Sequence, residues 1–214
     1  MQMFNLIEKI NIYGAKVIFD RMEDVARSIF TGNHIIYFTP VDKREEKIYE
    51  HCGNIDDFKS KTASIHIPDL SVQDFINIYE CDGTGLYEYT KGIIAPFCNK
   101  GVPEDIVYIT YLFLHEVGHW MQFIDMDRNV TQFINWDAEA EKQNAIKMKS
   151  LEEQRRERIQ RGSKCILTAK EKKLFNQYMY EYREIPKEKN ADDFAFKEIQ
   201  SALDIYVKMI ETES

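Results

Sequence analysis

The chain has 214 residues, four cysteines and a net charge of −8 at pH 7. That length can bury a core without staples, one domain is the expected count, and the acidic balance disfavours nucleic acid as a partner. Cys52, Cys81, Cys98 and Cys165 are far apart and form no CxxC pair, which argues against a disulfide framework or a cysteine-rich zinc site. Met1 to Phe19 mixes acidic and basic residues into its apolar stretch, and no apolar run reaches membrane-spanning length. A cytoplasmic location and no membrane partner are therefore expected.

Phe4 to Ile12 reads as a short amphipathic helix, with Gly14 beyond it. Ala15 to Phe19 and His34 to Thr39 read as strands, the second stopped by Pro40. Asp42 with Glu45 signals the start of a polar helix that ends near Gly53. Ser64 to Ile67 is a short strand ended by Pro68. Ser71 and Asp74 then open a helix carrying Val72, Phe75, Ile78 and Tyr79. Asp82 to Gly85 is a turn, and Leu86 to Tyr89 and Gly92 to Ala95 read as a strand hairpin. Pro96 would put the second of these strands on an edge, where an extended substrate could pair. His34, His51 and His66 have no partner at ligand spacing and read as ordinary histidines.

Pro103, Glu104 and Asp105 suit a helix N-terminus. The helix they open is apolar from Ile106 to Leu114 and ends in His115-Glu116-Val117-Gly118-His119. The i,i+4 spacing stacks two of the chain's five histidines on one face, where they can share one tetrahedral zinc. Glu116, one step round the helix, is placed to act as general base toward a zinc-activated water. Gly118 is a poor helix former, and its presence between the histidines predicts a close approach by another backbone.

Beyond the motif the chain reads as helical to its end. Asp137 to about Arg161 is long and polar. From Lys147 to Lys173 ten Lys or Arg stand against four Glu, which marks a basic helical arm at about 142–173. Such an arm is either solvated or grips an acidic partner or nucleic acid. Thr168 with Glu171 is a capping box, followed by a stripe of Leu174, Tyr178, Tyr182 and Ile185. Pro186 starts the last helix, with Ala191, Phe194, Ala195, Ile199, Ala202, Leu203, Tyr206 and Ile210 facing inward.

A catalytic zinc takes three protein ligands, and no histidine follows His119. The extended HExxHxxGxxH pattern fails, because Gln122 replaces its glycine and Asp125 its last histidine. A later carboxylate must serve. Glu188 is the first candidate. Asp192, four residues on, shares its face and is placed to accept the other N–H of a liganding histidine. Glu139, Glu141 and Glu184 are the alternatives. Tyr180, Tyr182 and Arg183 are candidate donors to an oxyanion.

The HEVGH motif, followed by Glu188-x-x-Ala191-Asp192-x-Phe194-Ala195, resembles the ImmA/IrrE-like zinc metallopeptidases, many of them encoded by phages and mobile elements. The resemblance implies a small zincin-like α+β domain, with a mixed N-terminal part, the HExxH helix and a helical C-terminal part. It implies zinc on His115, His119 and Glu188, with Glu116 as base, and a peptide or regulatory protein as substrate. It covers about 20 positions. The 68 residues between His119 and Glu188 exceed the family's gap, which makes the basic arm an insertion and leaves Glu141 in contention. A rival function is a non-catalytic metal-binding protein that acts through this arm.

Overall fold

The computed structural model describes residues 1–21, 36–51, 57–81, 86–98, 101–162 and 167–213. The fold is α+β, a small sheet set against a helical body. Helix α1 (Met3–Ile10) buries Met3, Leu6, Ile7 and Ile10, the i, i+3, i+4, i+7 stripe of an amphipathic helix. Strands β1 (Val17–Asp20), β2 (Tyr37–Thr39) and β3 (Ser64–Pro68) form a mixed sheet in the order β1-β3-β2. β3 is central, parallel to β1 and antiparallel to β2, with Phe38 opposite Ile65. His34, Ile35 and the Asp82–Gly85 turn lie outside the described residues.

Helix α2 (Lys43–His51) follows β2, and the Asp42 carboxylate caps it by accepting from the Arg44 and Glu45 amides at 2.9 and 3.0 Å. Helix α3 (Val72–Cys81) is opened by Ser71, whose hydroxyl accepts from the Asp74 amide at 3.1 Å.

The hairpin expected at Leu86 to Ala95 is not formed. Leu86–Ile94 is helix α4, continued by a 3-10 turn at Ala95–Phe97. The aromatic and β-branched residues there suggest strands, but Tyr87, Thr90 and Ile94 are the buried ones, a helical rather than an alternating period. Pro96 sits in the first positions of the 3-10 turn, so Gly92 to Ala95 offers no strand edge to a substrate. Among the described residues, the edge strand of the sheet that meets the motif is β2.

The motif helix α5 (Glu104–Asp125) is the axis of the molecule. Ile106 to Tyr111, Phe113 and Leu114 are buried all round it. Helix α6 (Val130–Asn135) follows, capped by Asn129. Helices α7 (Ala138–Gln160) and α8 (Ala169–Arg183) form an antiparallel hairpin, paired by Asn144 with Tyr178, Lys147 with Glu181 and Arg158 with Glu171. Its own small core is Leu151, Phe175 and Met179. Of the stripe expected on α8, Leu174, Tyr178 and Tyr182 are only partly buried, because Phe175 and Met179 take the inner positions.

Helix α9 (Pro186–Glu213) lies antiparallel against α5. Ala191, Ala195, Ile199, Ala202, Leu203 and Tyr206 face the core as expected. Ile210 does not, and is 40% exposed where the helix runs past the core. Among the described residues no helix is long and apolar enough to cross a membrane.

Candidate metal centre

The site lies between α5 and α9. Small residues bring the two helices together: a Cβ on Gly118 would lie 2.7 Å from the Ala191 Cα and 2.9 Å from its carbonyl oxygen. At that approach one turn of α9 lies directly against the two histidines. His115 Nε2 is 3.3 Å from one Glu188 oxygen, and His119 Nε2 is 3.5 Å from the other. All three side chains are buried, and their ligand atoms lie within 4.8 Å of one another. His115, His119 and Glu188 can therefore hold a metal ion.

The donor set fits one. Glu188 Oε2 is buried without a hydrogen-bond partner, a costly state for a carboxylate oxygen unless something cationic satisfies it. Burial opposes its charge, but the two imidazoles outweigh burial and hold its carboxyl well below the usual range. On His115, burial and Arg183 oppose protonation. The carboxylates of Asp192 and Glu188 win, and its pKa rises to about 9.

Each histidine turns its Nε2 to Glu188 because its Nδ1 is engaged elsewhere. His115 Nδ1 donates to Asp192 Oδ1 at 2.8 Å. The same oxygen accepts from the Tyr111 hydroxyl at 2.7 Å and from Arg183 Nη1, which also donates to the Tyr111 oxygen at 3.0 Å. A carboxylate can only accept, so Asp192 fixes the proton of His115 on Nδ1. His119 Nδ1 donates to Gln122 Oε1 at 3.1 Å, and Gln122 Nε2 donates to the Lys187 carbonyl at 2.8 Å. The second bond sets the orientation of the Gln122 amide and hence the tautomer of His119.

Glu116 stands outside the ligand set, on the side of α5 that faces the sheet. Its Oε2 accepts from the Phe38 amide of β2 at 2.7 Å, and it is only partly buried. Burial pushes the Tyr182 phenol well above its ordinary pKa, and the carboxylates of Glu188 and Glu116 add to the shift. Its hydroxyl stays a donor next to both acids.

The structure thus brings together His115, His119, Glu188 and Asp192, with Glu116 adjacent. It keeps the alternative ligands away. Glu141 pairs with Lys187 at 3.0 Å, Glu139 accepts from Gln143, and Glu184 pairs with Lys189. Of the three candidate oxyanion donors, Tyr180 is 61% exposed, and Arg183 lies behind His115 on its Nδ1 side. Tyr182 alone faces the acids. Gln122 and Tyr111 were not anticipated as partners of the histidines and Asp192. Both signals were present, since Gln122 is i+3 from His119 and Tyr111 is i−4 from His115. Lys187 was also missed. It is buried, lies 4.4 Å over the Phe133 ring, and its amide donates to Asp137 at 3.0 Å. These contacts pin the first turn of α9 that carries Glu188.

Compared with known protein families, with characterised proteins and with solved structures, the chain matches none of them.

Proposed function

We propose that the protein is a zinc-dependent endopeptidase of zincin-like, ImmA/IrrE-like type, which hydrolyses a peptide bond in a regulatory protein substrate. The observation that carries this reading is the convergence of His115 Nε2, His119 Nε2 and Glu188 on one point, with Glu116 beside them but outside the set. A purely structural zinc site is closed by four ligands, whereas two histidines and one glutamate leave a position open. Two imidazoles and one carboxylate can hold zinc or ferrous iron, and the glutamate beside them in the HExxH spacing favours zinc.

The ion, when bound, supplies Lewis acidity toward a water and the scissile carbonyl. Asp192 and Gln122 each hold an Nδ1–H, which fixes the two rings and turns Nε2 of both toward the ion. Glu116 takes the proton of the attacking water and passes it to the leaving amine. The Phe38 amide holds the Glu116 carboxylate in place for both transfers. Tyr182, kept protonated by burial and by its acidic neighbours, donates to the oxygen that becomes an oxyanion.

Elemental analysis tests the reading on wild type, Glu188→Ala and Glu116→Gln, purified side by side without chelator and assayed for proteolysis. Wild type should carry about one zinc per chain. Glu188→Ala should lose it, and Glu116→Gln should keep it while losing at least a hundredfold in cleavage. Full cleavage by Glu116→Gln, or zinc retained in Glu188→Ala, would overturn the assignment.

A further inference from the structure

Next to Glu116 the surface holds a second feature that metal binding does not use. A cleft of about 240 Å³ opens between the start of β1, the start of β3 and the C-terminal end of α5. Lys16, Lys61 and Arg128 line it, together with Trp120 and Ser60, and among the described residues no acidic one does. The fold builds this gathering of cations. After α5 the chain turns through two left-handed residues, Asp127 at φ 52° and Arg128 at φ 59°. The Ser60 amide then bonds the Arg128 carbonyl at 3.1 Å, and Lys59 bridges Asn129. These contacts set Arg128 alongside Lys61.

The nearby acids are turned to other tasks. The Glu45 carboxylate accepts from the Ser60 and Thr62 hydroxyls at 2.8 and 2.6 Å and from the Lys61 and Thr62 amides. Asp42 caps α2, its charge stabilised first by the Glu45 amide and then by the Arg44 amide, with Lys16 and Arg44 adding to it. Asp127 pairs with Lys59.

The cleft and Glu116 belong to one track. Trp120 is i+4 from Glu116, so it lies on the same face of α5, about 6 Å further along the axis. Phe38, whose amide holds Glu116, packs edge-on to Trp120 with ring centroids 6.3 Å apart. Beyond Phe38 the chain runs on to Asp42, whose amide donates to Thr62 beside the cleft at 2.9 Å.

We propose that this cleft is a subsite for an acidic side chain of the substrate polypeptide. An extended peptide advances about 3.3 Å per residue, so the acid sits about two or three residues from the bond beside Glu116. That register rests on the peptidase reading; the preference for a carboxylate does not. A chain of net charge −8 repels a long polyanion, but three cations lining one cleft with an indole suit one or two carboxylates.

The test uses fluorescently labelled random decapeptide pools with a fixed Glu-Glu, Gln-Gln or Lys-Lys pair, and a single-stranded DNA oligonucleotide. Binding to full-length Glu116→Gln protein is read by anisotropy, and cleavage by wild type is read by mass spectrometry. The Glu-Glu pool should bind about tenfold tighter than the Gln-Gln pool at low salt, and the difference should shrink as salt rises. Adding Lys61→Glu and Arg128→Glu, both at exposed positions, should abolish the preference and leave zinc content unchanged. Equal binding of the pools, or a preference that survives both reversals, would overturn the proposal. Tighter binding of the oligonucleotide than of the Glu-Glu pool would assign the cleft to nucleic acid instead. Charge-selective binding with no cleavage of any pool by wild type would support the subsite and sink the peptidase reading.

Discussion

Two arginine–carboxylate pairs in this molecule do different work. Arg183 and Asp192 lie behind His115 in the space between α5 and α9, with side chains 12% and 10% exposed. Their carboxylate is shared with a tyrosine and an imidazole, so the pair transmits its geometry to a candidate metal ligand. Arg158 and Glu171 join the ends of α7 and α8, with Nε and Nη2 reaching the two carboxylate oxygens at 2.9 and 3.0 Å. There Glu171 also completes a capping box with Thr168. The arm that reads as a basic patch is in fact interleaved with its own acids, with Arg156 on Glu152 and Arg161 on Glu157. A charge is committed to a site when it is buried and shared, and to local structure when it is paired with a near neighbour. This weakens the idea that the arm exists to grip a partner.

The largest expected effect comes from breaking the buried pair. Asp192→Asn leaves the Arg183 guanidinium in the interior without its counter-charge, which should destabilise the fold by about 3–5 kcal/mol. It also frees the His115 ring from its fixed tautomer, so zinc affinity should fall about 10- to 100-fold. Urea unfolding with and without zinc, and a competition titration with a chromophoric chelator, separate the two effects. If Asp192→Asn is as stable as wild type and binds zinc equally well, the carboxylate is not what orients His115.

The ligand site was legible in the sequence because it is mostly local. His115, Glu116 and His119 are set by helical spacing alone, and the same spacing pairs Asp192 with Glu188, but only the packing of α9 on α5 separates Glu188 from Glu139, Glu141 and Glu184. The elements that needed tertiary context were not legible. Leu86 to Ala95 looks strand-like by composition, and only burial of Tyr87, Thr90 and Ile94 against α5 and its neighbours selects the helix. No periodicity announces that the Phe38 amide would meet Glu116, since 78 positions separate them. Arg183 and Tyr182 are equal candidates for an oxyanion donor in the sequence because both lie shortly before Glu188. On a helix, neighbours point about 100° apart, and one faces the acids while the other lies behind His115.

A smaller effect tests the close contact that makes the site. Gly118→Ala should gain about 1 kcal/mol in helix propensity. Against that, the new methyl would lie 2.7 Å from the Ala191 Cα, backbone that cannot rotate away. Overpacking of this kind costs about 1–3 kcal/mol, so the clash wins and the variant should be less stable in urea than wild type. Zinc affinity should fall with it, because α9 must move away from α5 and takes Glu188 along. A more stable Gly118→Ala would mean that the two helices are not this close.

The smallest effect is expected in the hairpin, and its pH dependence is the sharper reading. Arg158, then the Thr168 amide, hold the Glu171 carboxyl down to about 2 against the opposing effect of burial. A depressed carboxyl stabilises the fold at pH values above its ordinary range, near 4.5, and loses that contribution as pH falls toward 2. Glu171→Gln should therefore lower the melting temperature by about 2–4 °C at pH 7, the equivalent of about 1 kcal/mol for a chain of this size. The gap between wild type and variant should close as pH is lowered from 4.5 to 2, while zinc content at neutral pH stays the same. Asp192→Asn should change both. A Glu171→Gln variant that loses zinc would tie the hairpin to the metal centre through α8, where Arg183 is the last residue, and the separation between the two pairs would be lost.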